Sequence, residues 1–280
     1  MAGALLSALL GVVPGAASQQ RRPLVVLGPE ASGRSALLFR AALLASGVAA
    51  APASVMFLAP RPLQRLPCAG GLDAVAMQRI QFLYPPSSQL LFQVLANLQQ
   101  TSCPILVVVD GLEEYLKSCP GPSVAAQLVA LLLDTVNHFS QKLSRVSSAC
   151  QLLVSMKSPG EAGEDGGHFS TVERYFQAQM WLHPEAEESV GPASHGATKV
   201  VRAHLSQPGS QDREWLLRFE PEGQMKISPL PCKSEDSRGA AAQNDTPAEA
   251  EAQKLATWEC LWCCCKKVLH CVCGRPQTAL

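Results

Sequence analysis

The sequence predicts an α/β fold: a mostly parallel sheet with helices on both faces and an antiparallel extension at one edge. Three features point there. Short apolar runs alternate with helix-length segments as far as residue 180, the pattern of parallel strands joined by crossover helices. A glycine-containing turn, GPEASG, joins the first apolar run to the first helical segment. Beyond Met180 strand-like segments succeed one another across turns with no long helix between them, as antiparallel strands do.

Along the chain, residues 24–27 form a short apolar strand. Residues 35–46 have helical spacing and close at Gly47. Residues 55–58 make a second strand, stopped by APRP, and residues 80–84 a third, stopped by Pro85 and Pro86. An amphipathic helix is expected over 88–99. Residues 105–109 are the clearest buried strand: five apolar residues, four of them β-branched, ending at Asp110. A long helix over 125–143 and an apolar strand over 150–154 follow. MWLHP, TKVVRAHLS and EWLLRFEPEGQMKI then read as strands, with EPEG (220–223) as a hairpin turn.

The 280 residues suffice for one large domain, and a hydrophobic share of 47% can fill its core. Charged residues make up 16% and the formal net charge is zero, which excludes a global basic field for nucleic acid. The eleven cysteines form no evenly spaced disulfide framework. Cys68, Cys103, Cys119, Cys150 and Cys232 stand singly and the rest crowd the C-terminal end, so a reducing compartment is expected. The first 20 residues have an apolar run of signal-peptide length, but no Lys or Arg precedes it and Arg21 and Arg22 follow it. They are read as a flexible leader. No apolar run reaches the ~18 residues of a membrane span, so no membrane association is expected. A folded domain is expected over 21–230, and a low-complexity, cysteine-rich, disordered tail over 231–280.

The turn at Gly28, Pro29, Glu30, Ala31, Ser32, Gly33, Arg34 and Ser35 has the spacing of a phosphate-binding loop. Its glycines let the backbone wrap an anion, its N–H groups point inward, and the following helix adds its positive dipole end. Ser35 would supply a hydroxyl to Mg²⁺. The usual lysine is replaced by Arg34, which keeps the charge but exchanges a compact ammonium for a planar, forked guanidinium. Nucleotide binding should therefore survive better than hydrolysis. Asp110 ends a buried strand, where ligands sit in open α/β sheets, and is the second candidate for Mg²⁺. Glu113 and Glu114 follow it. Either has the chemistry to orient a water, but both read more simply as solvated residues of a helix start.

With LGPEASGRSALLF, RPLQ, QFLYPPSS, VVVDGLEEYL, ALLLDTVNHFS and RYFQAQMWLHPEA in view, the stretch from about residue 22 to 227 resembles the RecA-type recombinase paralogue family. More narrowly, it resembles the ATPase-like branch that partners SWIM-type zinc-finger proteins in Shu-like complexes. The resemblance implies a RecA-like core without the recombinases' N-terminal helical domain. It implies ATP and Mg²⁺ as ligands and an ATPase stimulated by single-stranded DNA, with DNA binding separable from hydrolysis. It implies a SWIM-type zinc-finger protein and a RecA-like recombinase with its paralogues as partners, a nuclear setting, and a role in homologous-recombination repair. Gly28, Gly33 and Ser35 carry over to the phosphate loop and Asp110 to the Mg²⁺ position, whereas Arg34 departs from the lysine.

A second departure concerns water activation. RecA-like enzymes place a glutamate after the strand that follows the loop helix, and here that region reads FLAPRP, with no acid. Turnover is expected to be slow, and a degenerate RecA-like adaptor that only binds partners is the alternative. The stretch 157–170, KSPGEAGEDGGHFS, reads as a flexible loop with three acids against one lysine, poorly suited to DNA phosphates. Arg61, Arg65, Arg79, Arg174 and Arg202 are better candidates. A phosphotransferase with an acceptor substrate would need a basic lid, and no such segment is evident. Phe39–Ala42 matches the short F-x-x-A pattern by which recombinases pair, but its helical apolar spacing reads as core. Cys260, Cys263, Cys264, Cys265, His270, Cys271 and Cys273 admit three readings: a zinc site, S-acylation beside the lysines, or an unstructured end.

Overall fold

The first apolar run becomes β1 (Leu24–Gly28), buried at every residue. The computed structural model describes residues 22–48, 54–63, 73–98, 103–144, 149–159, 166–185, 198–221 and 223–231. The leader, the tail, Cys68, Cys232, Arg65 and the seven-residue Cys/His cluster lie outside them. From β1 the chain passes through the loop into α1 (Arg34–Val48). Then come β2 (Val55–Leu58), α2 (Ala74–Gln78), β3 (Ile80–Leu83), α3 (Ser88–Asn97) and β4 (Leu106–Val109). They are followed by α4 (Leu112–Lys117), α5 (Pro122–Leu143), β5 (Gln151–Lys157), α6 (Gly166–Glu173), β6 (Ala178–Pro184), β7 (Lys199–Ser206), β8 (Arg213–Phe219) and β9 (Met225–Pro229).

These strands form one sheet in the order β3-β2-β4-β5-β1-β6-β7-β8-β9. Pairing is parallel from β3 through β6 and antiparallel from β6 to β9. This fits the α/β class and the antiparallel edge expected from the sequence. A hairpin joins β8 and β9: the two strands pair antiparallel, and the Glu220 N–H donates to the Gln224 carbonyl at 2.8 Å.

Alternate residues of each central strand feed opposite faces. Leu24, Val26, Phe57 and Val108 pack with α1 in one core, which continues under β7–β9 through Val201, Ala203, Trp215 and Leu217. Val25, Leu27, Val107 and Val109 pack with α3, α4, α5 and α6 in the other. Helix α1 is apolar around much of its circumference, as a helix sunk into a core must be. Phe39 and Ala42 are fully buried in it. Among the described residues no helix is long and apolar enough to cross a membrane, and Cys103, Cys119 and Cys150 carry no disulfide.

Several boundaries differ from the sequence reading for identifiable reasons. Helix α5 starts at Pro122 rather than 125, because proline is tolerated in the first turn. Strand β5 runs on to Lys157, past the polar Ser155, which is buried. Helices α2 and α6 are not among the expected elements, and of α4 only the start is; each of the three is short. Helix α6 begins within the stretch read as a flexible loop and runs three residues past it; residues 160–165 of that stretch are outside the described ones.

Phe57 packs between Phe39 and Phe82 in the core beside α1. Its ring lies 6.5 Å from Phe39 and 5.5 Å from Phe82, with no solvent exposure. Phe57→Ala is expected to cost about 3–5 kcal/mol in urea unfolding, the loss of a buried aromatic plus the cavity it leaves.

Candidate functional site

Parallel strands bring their carboxyl ends to one edge of the sheet. Here β1 delivers the loop 28–35, β4 delivers Asp110, and β5 stands between them. The register fixes the spacing: Gly28 pairs with Lys157, and Val109 with Val154.

The loop is tied at both ends. The Ser158 N–H donates to the Gly28 carbonyl at 3.0 Å, and the Leu37 N–H to the Gly33 carbonyl at 3.0 Å. Within it, the Ser32 N–H donates to the Pro29 carbonyl at 3.2 Å. Ser32 folds back onto Gly28, where a Cβ would come within 2.5 Å of its hydroxyl oxygen. Ala31 takes a positive φ of 60°, a conformation that costs an alanine about 1–2 kcal/mol. Gly33 has a φ of +90°, and a Cβ there would meet the Phe219 ring at 2.3 Å. Two constraints thus select glycine at 33: backbone conformation and the neighbour from β8. The Ser32 hydroxyl is buried with no hydrogen-bond partner among the described residues.

Arg34 opens α1. Its Nη1 donates to Glu113 Oε1 at 3.0 Å, and both side chains are only 13% exposed. The reading of Glu113 as a solvated helix-start residue is therefore corrected: α4 is short and packed on the sheet, so its first turn faces the loop. The other oxygen of Glu113, Oε2, is buried without a partner. Glu114 is more exposed and accepts from Lys117 at 2.8 Å, with Arg61 at 3.6 Å. The hydrogen bond from Lys117, and then the charges of Lys117, Arg61 and Lys157, outweigh desolvation and hold its carboxyl below the ordinary range. That contribution to stability is present at neutral pH and is lost as pH falls through the lowered value.

Asp110 is 8% exposed. Its Oδ1 accepts from the Ser155 hydroxyl at 2.5 Å, while that hydroxyl accepts from the Gly111 N–H at 2.8 Å. The carboxylate is thereby aimed by a serine that sequence reading did not single out. Ser35 and Asp110 offer hard oxygen donors, which suit Mg²⁺ rather than a soft-ligand metal. Below them Tyr115 is fully buried, and burial, with the Asp110 charge second, pushes its phenol above the ordinary range.

Two further residues reach the loop from far along the chain. Lys199 Nζ donates to the Ala31 carbonyl. Phe219, its cross-strand partner, packs on Gly33. No local signal marks either one; only the sheet register brings them there. Of the arginines proposed for DNA, Arg61 is 82% exposed at this edge. Arg79 donates to the Ser46 carbonyl at 2.9 Å, Arg202 pairs with Glu185 at 2.9 Å, and Arg174 is exposed.

No family model matches the chain. It is similar to ATPase SWSAP1 of Homo sapiens, 44% identical over 220 residues that cover 76% of this chain and 92% of that protein. It is also similar to ATPase SWSAP1 of Mus musculus, 39% identical over 256 residues that cover 90% of this chain and 88% of that protein.

Gly33→Ala should lower stability by about 1–3 kcal/mol in thermal melts, and Phe219→Ala in the same chain should return the steric part but not the conformational part. Arg34→Met strands a mostly buried carboxylate and should cost about 1–3 kcal/mol, with Glu113→Gln in the same chain recovering most of the loss; additive losses would mean that the two side chains are not coupled.

Proposed function

Because the chain belongs to the ATPase SWSAP1 family, we propose that it is a RecA-like ATPase-type protein that binds ATP at residues 28–35 and hydrolyses it slowly, in support of homologous-recombination repair. The observation that carries this reading is the juxtaposition of the loop and Asp110 across β5, with the Asp110 carboxylate held by Ser155. The loop N–H groups and the start of α1 form the phosphate cradle. Ser35 and Asp110 would hold Mg²⁺, which when bound neutralises phosphate charge. Of the two glutamates, Glu113 is the better water-orienting group, since its Oε2 lies buried and unpartnered while Glu114 is engaged by Lys117 and Arg61. The absence of an acid in FLAPRP and the diversion of Arg34 to Glu113 both argue for slow turnover.

The sequence resemblance supports the wider setting: a nuclear protein that binds single-stranded DNA and acts with a SWIM-type zinc-finger partner and RecA-like recombinases. Arg61, exposed at the same edge as the loop, is the foremost candidate for coupling DNA to the site. A second reading has its own observation. If the Arg34–Glu113 pair persists with nucleotide present, the loop is a scaffold and the protein an adaptor.

ATP hydrolysis by the purified chain, with and without single-stranded DNA, separates the two. Slow DNA-stimulated turnover is expected, falling to background in Asp110→Asn and rising in Arg34→Lys. No turnover in either the wild type or Arg34→Lys, with partner binding intact in Asp110→Asn, establishes the adaptor.

A further inference from the structure

A phosphate loop normally carries its own ammonium on the residue after the second glycine. Here that residue is Arg34, and its guanidinium is held by Glu113. A different ammonium stands at the loop. Strand β7 is antiparallel to β6, so it begins at the edge where the parallel strands end. Its first residue is Lys199, whose Nζ donates to the Ala31 carbonyl. We propose that Lys199 supplies, from the antiparallel extension, the lysine contact to nucleotide phosphate that position 34 does not provide. The proposal rests on the nucleotide reading of the loop.

Three observations carry it. The first is reach. A lysine ammonium already hydrogen-bonded to the loop backbone is a rotamer change away from an anion seated in that loop, because its flexible stem carries three rotatable donors. The second is charge. Arg34, Arg61, Lys117, Arg202 and Lys226 each face a carboxylate. Among the described residues none lies within ion-pair distance of Lys199. Its present acceptor is a neutral carbonyl, and an ionised phosphate oxygen is the stronger acceptor. The third is placement. Lys199 pairs across the ladder with Phe219, and Phe219 packs on Gly33. The same cross-strand pair therefore touches the loop at two points, which fixes the start of β7 over it. Lys157 also stands at this edge, in register with Gly28, but its charge is felt by Glu114.

The test is MgATP binding by the full chain, titrated at low and moderate salt for wild type, Lys199→Met, Lys199→Arg and Arg34→Met. Lys199→Met should weaken binding roughly 10- to 100-fold, the worth of one charge-assisted hydrogen bond. It should also flatten the salt dependence, as removal of one phosphate-facing charge requires. Lys199→Arg should retain most of the affinity, and Arg34→Met should lose less than Lys199→Met. Unchanged affinity in Lys199→Met overturns the proposal. So does a loss with unaltered salt dependence, which would make Lys199 a support of the loop backbone. Failure of the wild type to bind MgATP at millimolar concentration overturns the nucleotide reading itself, and this assignment with it.

Discussion

The seating of β1 between β5 and β6 is the constraint on which the rest depends. All five of its residues are buried, and it is paired in parallel on both sides. Because its direction matches its neighbours', the backbone must leave the sheet at Gly28 and return as a helix on one face. That geometry creates the loop. The same parallel sense puts Asp110, Ser155 and Lys157 at the same edge. The two cores, one on each face, hold β1 by alternate residues, so the strand can neither slide nor turn over without exposing one set of apolar side chains.

Charge at the loop is arranged differently from what the motif alone suggests. The replacement of lysine by arginine at 34 is accompanied by a carboxylate at 113 that takes the guanidinium. A forked cation is well suited to a carboxylate and less suited to the interior of a tight loop. The pair thus links α1 to α4, across the edge where ligand would sit. Loop geometry and loop electrostatics have separate origins here: glycine spacing and sheet direction set the first, and contacts from α4 and β7 set the second.

What could be read from the sequence follows the range of each interaction. Strand β4 was legible because its apolar, β-branched run needs no partner to be recognised, and the loop because its glycine spacing marks the turn, although Phe219 of β8 also crowds Gly33. Of helix α4 only the start is legible, not its packing: LEEYLK is six residues long, and its two glutamates read as solvated. Strand β5 was cut short at Ser155 because a buried serine breaks an apolar run. Its hydroxyl is there to hold Asp110, 45 residues earlier. Lys199 was invisible for the same reason. It meets Ala31 across 168 residues, through a register that no local window contains. Glu113 is legible as a helix-start residue but not as a buried one, since its burial depends on how α4 packs.

The two outermost strands have a bearing on behaviour in concentrated solution. Among the described residues no strand pairs beyond β3 or β9, and an unpaired edge offers backbone groups on which a second copy can polymerise. The β3 end is only four residues long, and after Tyr84 come Pro85 and Pro86. The β9 end finishes at Pro229 and carries the exposed Lys226. Prolines deny a docking strand its donors, and a lysine makes stacking of identical edges repulsive. Among the described residues, both ends of the nine-stranded sheet thus carry features that disfavour pairing with a second edge.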